Sequence, residues 1–216
     1  TYIGKSAFSG CKSLKTVKLG KSILNIDENC FGDCTSLEEI TLPKSIEKLG
    51  GSIFANCSSL KKVELEDGSN FAIKDDVLFS SDMKKLYFAL PYAKLGSYTC
   101  PDSVETIMPL AFFSCKNLTE FTFSNKIKVV PQGIFVLCSN LKKIEFPESV
   151  NQISSVITLQ SGIKEITIPS SVKTIDNNAF IKSDGSIDTD LVIRTTSGSK
   201  AEDYAKDKGI KVELIK

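Results

Sequence analysis

The stretch Cys30-Phe31-Gly32-Asp33-Cys34-Thr35-Ser36-Leu37-Glu38-Glu39-Ile40-Thr41-Leu42-Pro43-Lys44-Ser45-Ile46-Glu47-Lys48-Leu49 is the unit from which the chain is built, and Phe54 starts it again. With Phe8 as origin, apolar residues follow at Leu14, Val17, Leu19, Ile23 and Ile26. From Phe31, Leu37, Ile40, Leu42, Ile46 and Leu49 stand at the same offsets, 23 residues later. The copy from Phe54 keeps Leu60, Val63 and Leu65 and then loses its tail. Copies from Phe112 and Phe135 restore it with Leu118, Phe121, Phe123, Ile127 and Val130, then Leu141, Ile144, Phe146, Val150 and Ile153. Recurrence at one fixed spacing is the mark of a stacked repeat architecture.

A further copy lacks the aromatic marker. Tyr98 to Ile107 aligns on Ile40 to Leu49, which places its origin at Ala89 and leaves about a dozen extra residues before it. Those residues read as a β-hairpin over about 71–90, because Phe71 to Phe79 and Lys85 to Leu90 flank the turn signal Ser80-Ser81-Asp82. Beyond Ile153 the pattern persists through Ile157, Ile163, Ile166, Ile168, Val172 and Ile175 with one residue deleted, and a last copy runs from Phe180 to Leu191 and Ile193.

One repeat explains its own spacing. Ile40-x-Leu42 has the period-2 spacing of a short strand with one buried face, and Pro43, which offers no ladder donor, ends it. Such a strand cannot bury its face alone, but stacked copies pair in parallel and share one core. About eight rungs predict a solenoid on the order of 40 Å long, the return half of each repeat crossing the core in irregular or short helical segments. A cap is expected over about 197–216. Ser199 and Glu202 form a capping box, Ala201, Tyr204 and Ala205 a small apolar stripe and Gly209 a helix stop, with Ile210, Val212 and Leu214 alternating as a strand.

The unit A-F-x-x-C-x-x-L-x-x-I-x-[IL]-P-x-S-[IV]-x-x-I resembles the BspA-type leucine-rich repeat, the form also seen in treponemal surface repeats. The resemblance covers nearly the whole chain, including the hairpin and the C-terminal helix and strand. It implies a β-rich, horseshoe-like leucine-rich-repeat solenoid over residues 1–216 as a single domain, with its parallel sheet on the concave face. It further implies a secreted or cell-surface bacterial protein that adheres to a protein partner, a host extracellular-matrix or surface protein among the candidates. Ile3 matches Ile26 and Leu49, so a repeat before Thr1 is expected.

Composition supports no competing class. Net charge is +1 from 27 basic and 26 acidic residues scattered singly, and Arg194 is the only arginine, so no nucleic-acid footprint is visible. No apolar run is long enough to span a membrane. Histidine is absent, and neither a phosphate loop nor a nucleophile elbow appears, so no catalytic, cofactor-binding or metal-binding residue is assigned. Glu38-Glu39 and Asp75-Asp76 read as solvated surface at a strand flank and a turn, and Glu66-Asp67-Gly68 and Asp184-Gly185 as turns. All seven cysteines occupy positions the pattern would bury: Cys11, Cys34, Cys57, Cys115 and Cys138 at one offset, with Cys30 and Cys100 elsewhere. They read as small hydrophobes rather than disulfides or zinc ligands.

What remains is the outward side of the strands, which forms two columns. Thr16, Glu39, Lys62, Ser97, Glu120, Lys143 and Glu165 make one, and Lys18, Thr41, Glu64, Thr99, Thr122, Glu145 and Thr167 the other. From these, Lys18, Glu39, Thr41, Lys62, Glu64, Thr99, Glu120, Thr122, Lys143 and Glu145 are candidate partner contacts, joined by Tyr87 and Tyr92 on the hairpin, where Phe88 adds a further aromatic. Two functions are consistent with this surface: a non-enzymatic interaction module, or a passive spacer with no ligand of its own.

Overall fold

In the computed structural model, which describes residues 1–216, outward strands of successive repeats pair in parallel within three separate sheets. The chain divides into two compact units, Thr1–Ala93 and Lys94–Lys216.

The first unit contains β1 (Tyr2–Ile3), β2 (Thr16–Val17), β3 (Asn25–Ile26), β4 (Glu39–Leu42), β5 (Lys48–Leu49) and β6 (Lys62–Leu65). Strands β2, β4 and β6 pair so that Thr16, Glu39 and Lys62 align, with Val17, Ile40 and Val63 beside them. A repeat of constant length keeps each side chain over its counterpart, so Ile40, Leu42 and Val63 all bury. Phe8, Phe31 and Phe54 form a second column, with ring centroids 5.4 and 6.0 Å apart. The outermost ring, Phe8, is 40% exposed, whereas Phe31 and Phe54 are buried.

The return half, expected in irregular or short helical segments, forms turns and two-residue strands. Strands β1, β3 and β5 form a second parallel ladder, in which Ile3, Ile26 and Leu49 align. Around each phenylalanine the backbone turns twice through the left-handed region, two residues before it at Ser6, Asn29 and Ser52 and two after it at Gly10, Asp33 and Asn56. Left-handed residues cannot propagate a right-handed helix. The N–H groups of this corner instead bond to the next rung: Ser6 to Glu28 O, Phe8 to Cys30 O and Gly10 to Gly32 O, at 2.8 to 3.0 Å. The serine of Pro-x-Ser also reaches across, Ser45 Oγ donating to Ile23 O at 2.7 Å. Asn70 Nδ2 does the same to Ile46 O at 2.9 Å, standing in for serine where the repeat gives way to the insertion.

That insertion has three strands, not two: β7 (Phe71–Lys74), β8 (Val77–Ser80) and β9 (Lys85–Ala89), antiparallel in order. Asp75 and Asp76, both left-handed, make the two-residue turn between Lys74 and Val77, the geometry that matches strand twist in tight hairpins.

The second unit contains β10 (Ser97–Thr99), β11 (Thr106–Ile107), β12 (Glu120–Thr122), β13 (Val129–Val130), β14 (Lys143–Glu145), β15 (Gln152–Ile153), β16 (Glu165–Thr167), β17 (Thr174–Ile175), β18 (Val192–Thr196), α1 (Lys200–Lys208) and β19 (Lys211–Ile215). Its outward strands form two sheets, β10-β12-β14 and β16-β18-β19, and β13-β15-β17 is the return ladder. The same left-handed pairs recur at Leu110 and Ser114, Gly133 and Leu137, and Val156 and Gln160. By that register Thr158 takes the phenylalanine position in the repeat without an aromatic, and it is buried.

The ladder breaks between β14 and β16 where the repeat shortens. Leu141 and Ile163 are 22 residues apart instead of 23, and Gly162 takes up the difference by lying against the previous rung. Its N–H donates to Cys138 O at 3.1 Å. A Cβ there would stand 2.5 Å from Ser139 O and 2.8 Å from Leu141 O.

The C-terminal segment closes the stack as expected. Ser199 Oγ accepts from Glu202 N at 3.1 Å, the Glu202 carboxylate accepts from Gly198 N at 2.6 Å, and left-handed Gly209 ends the helix. Ala201, Tyr204 and Ala205 bury, Tyr204 edge-on to Phe180. Strand β19 differs from the alternation read in sequence, because Leu214 is 55% exposed.

Two outcomes follow for folding. Gly162→Ala should lower stability by about 1–3 kcal/mol in urea unfolding, because neither carbonyl can retreat without losing rung contacts, while Gly20→Ala, with open space around it, should be near neutral. The Glu202 carboxyl is held below the usual range by hydrogen bonds from Lys206 and from the Gly198 N–H. A depressed native pKa stabilises above the unfolded value and is lost as pH falls through the native one. Glu202→Gln should therefore lower the melting temperature at pH 7, and the difference should close below about pH 4 in thermal scans followed by circular dichroism.

Candidate functional site

Period-2 alternation points Glu39, Thr41, Lys62 and Glu64 to one side of β4 and β6 while Ile40 and Val63 enter the core, and the four are exposed. Lys62 Nζ lies 2.6 Å from Glu64 Oε1 on the same strand, and Thr41 Oγ1 donates to Glu64 Oε2 at 3.4 Å. The hydrogen bond from Lys62, then its charge, holds the Glu64 carboxyl below its usual range, and the same bond raises the Lys62 ammonium.

The second unit repeats this arrangement residue for residue. Glu120 and Thr122 on β12 align with Lys143 and Glu145 on β14. Lys143 Nζ is 2.5 Å from Glu145 Oε1, Thr122 Oγ1 donates to Glu145 Oε2 at 3.3 Å, and Glu145 and Lys143 shift in the same directions for the same cause. Lys18 and Thr99 are exposed, and Thr122 is half-buried. Elsewhere the two segments have diverged at the surface: Glu47 is matched by Lys128 and Lys48 by Val129.

The hairpin aromatics are not a surface platform. Tyr87 is 7% exposed and packs edge-on against Phe71 at 5.3 Å, and Phe88 is buried edge-on to Phe54. Tyr92 is half-buried, with its hydroxyl accepting from Val63 N at 3.4 Å. Burial raises both tyrosine pKa values. Strand β9 carries Tyr87 and Phe88 into the packing, while Tyr92 lies beyond its end.

The cysteines form a structural series. Cys34, Cys57 and Cys138 donate their thiols to Phe8 O, Phe31 O and Phe112 O at 3.1, 3.0 and 3.0 Å, each reaching the previous rung's phenylalanine carbonyl. Burial pushes Cys30 and Cys100 up to about 11 and Cys57 and Cys138 up to about 12, and raises Cys34 and Cys115 as well. Cys11 and Cys115 correct the expectation that all seven bury: Cys11 is exposed and Cys115 is half-buried. All seven are free thiols, and no group of three or more His, Cys, Asp or Glu side chains is arranged to hold a metal ion.

Sequence reasoning did not reach Arg194. It aligns with Thr167 across β16 and β18, so it extends the second outward column by one position. Its Nη1 donates to Glu165 Oε1 at 3.1 Å, while its Nε is buried, 3.8 Å from Glu213 Oε2, with no acceptor in reach. Glu213 is held instead by Lys211 at 2.9 Å. Arg194 and Glu165 border a cavity of about 480 Å³ at the break between β14 and β16. The available signal was a lone arginine at an outward strand position.

No helix is long and apolar enough to cross a membrane. The model for the BspA type Leucine rich repeat region matches six copies over residues 1–99 and 91–186. The pneumococcal vaccine antigen PcpA superposes with a TM-score of 0.69 at 22% identity, covering 100% of this chain and 65% of its own. A leucine rich cell surface protein of Faecalibacterium prausnitzii A2-165 gives 0.66 at 25% identity, covering 100% and 61%. A leucine-rich repeat protein of Bacteroides ovatus ATCC 8483 gives 0.54 at 21% identity, covering 98% and 54%. This chain thus spans less than two thirds of each of the three, and the likenesses under 25% identity show the fold alone. No curated protein matches the chain.

The thiol series has a direct readout. In native protein at pH 8, iodoacetamide should label Cys11 first, with Cys30, Cys57, Cys100 and Cys138 labelled only after denaturation, as resolved by peptide mass spectrometry.

Proposed function

Because this chain belongs to the BspA-type leucine-rich repeat family, we propose that it is a non-enzymatic interaction module of a bacterial cell-surface or secreted protein, binding a protein partner through the outward face of its strands. Residues 1–216 acting as one domain are part of this proposal. The observation that carries it is the twin arrangement of Glu39, Thr41, Lys62 and Glu64 and of Glu120, Thr122, Lys143 and Glu145. It is retained in contact detail while neighbouring surface positions diverge. The cell-surface description of the Faecalibacterium relative supports the location.

The contacts of such a face are charged and solvent-exposed, so they set encounter rate and specificity more than raw affinity and are screened by salt. Host extracellular-matrix and surface proteins are the partners to try first.

A second reading, a spacer without a ligand, draws on a specific observation. The exposed large apolar side chains are Tyr2, Phe8, Leu24, Val129 and Leu214, and none lies on the outward columns or the hairpin. Immobilised chain should capture a matrix or host-surface protein in a manner that weakens between about 50 and 300 mM salt. Reversing Glu39, Lys62, Glu120 and Lys143 together should reduce capture at least about tenfold. Capture no better than a blank surface would favour the spacer, and capture indifferent to the four reversals would remove the strand face from the proposal.

A further inference from the structure

Strand β19 is the last in the order β16-β18-β19 and has five residues, where β10, β12, β14 and β16 have three each. Backbone bonding decides which of its groups are already used. Val192 N–H donates to Lys164 O and Arg194 O accepts from Ile168 N–H, so the even-numbered residues of β18 face β16, and Ile193 and Thr195 face β19. The register then turns Lys211, Glu213 and Ile215 toward β18 and leaves the N–H and C=O groups of Val212 and Leu214 on the free edge. Neither residue has a further backbone partner.

An open edge is a template for another strand, and proteins guard it with proline, a bulge, a short strand or an inward charge. Strand β19 has no proline, and its pairing with β18 runs unbroken through all five residues. The inward position that a guarding charge would take is held by Leu214, which aligns with buried Thr195 and is itself 55% exposed. The other face carries both signs: Lys211 and Glu213 lie 2.9 Å apart, with Arg194 3.8 Å from Glu213. These charges choose among the registers in which a second β19 could add antiparallel. One register sets Lys211 over Lys211 and another Glu213 over Glu213, both unfavourable. A third sets Leu214 over Leu214 and brings no opposite charges face to face. The remaining one puts Val212 over Val212 on a two-fold axis, each Lys211 opposite the other copy's Glu213, and each Leu214 beside the other copy's Ile210.

We propose that β19 is a self-association edge, on which two copies of this chain pair antiparallel in that last register and join their β16-β18-β19 sheets into one. The contact is isologous, so it closes at two copies. It goes beyond the partner-binding reading and does not depend on it, because Glu39, Lys62, Glu120 and Lys143 lie on other strands. One strand pair is a small interface, and dissociation in the range of about 10–200 µM is expected.

Sedimentation of the full chain from about 5 to 500 µM should show a monomer passing to a dimer, with the Val212 and Leu214 amides gaining protection from exchange as concentration rises. Leu214→Pro removes an edge N–H that β18 does not use and should weaken association at least about tenfold, circular dichroism confirming that the chain is folded. Lys211→Glu and Glu213→Lys should each weaken it about tenfold, and an equimolar mixture of the two should recover it, because every charge pair across the axis is again opposite. This mixture decides the matter even if the proline variant fails to fold. A monomer at every concentration, a dimer indifferent to Leu214→Pro, as association through exposed Tyr2 and Phe8 would be, or a mixture no more associated than its components would each overturn the proposal. A monomer whose Val212 and Leu214 amides shift with acetyl-Ile-Lys-Val-Glu-Leu-amide would overturn it too, and would give the edge to a strand of another protein.

Discussion

Each rung satisfies its backbone in the rung beside it. The corners around Phe8, Phe31, Phe112 and Phe135 pass twice through the left-handed region, which forbids a helix and turns the N–H groups sideways toward the following rung. Stacking is therefore the condition on which the corners exist at all. The phenylalanine columns, the second ladder and the inward thiols depend on that lateral pairing, and the parallel strand sheet shares its register.

The repeat length and its apolar offsets made most of the fold legible, because constant spacing forces like over like. Turn chemistry made the Asp75-Asp76 corner and the Ser199 to Gly209 helix readable as well. The return ladder was missed because Ile-x-x-Ile carries no local mark distinguishing two extended residues from an irregular crossing. Its geometry is set by neighbouring rungs. Cys11 shares the offset of the buried cysteines, but offset alone does not decide burial, which the packing around each rung sets. The insertion reads as two strands around Ser80-Ser81-Asp82, and the turn at Asp75-Asp76 divides the first of them in two.

Much the same division holds for the surface. Alternation alone assigns Glu39, Thr41, Lys62 and Glu64 to the outward side, and pairing register brings them into contact. The hairpin tyrosines, by contrast, lie in a segment without the repeat's register, so their direction is decided by tertiary packing. Arg194 lies beyond the last recognised strand of its column, and its Nε faces Glu213 on the neighbouring strand β19.

The thiol bonds carry a consequence for how damage spreads. Cys57 sits in one repeat, but the carbonyl it satisfies belongs to Phe31 in the repeat before, and Ser45 likewise serves Ile23. A substitution at either position leaves its own repeat locally intact and orphans an acceptor one rung upstream. Sequence change in this molecule is thus felt out of phase, displaced by a single repeat toward the N-terminus.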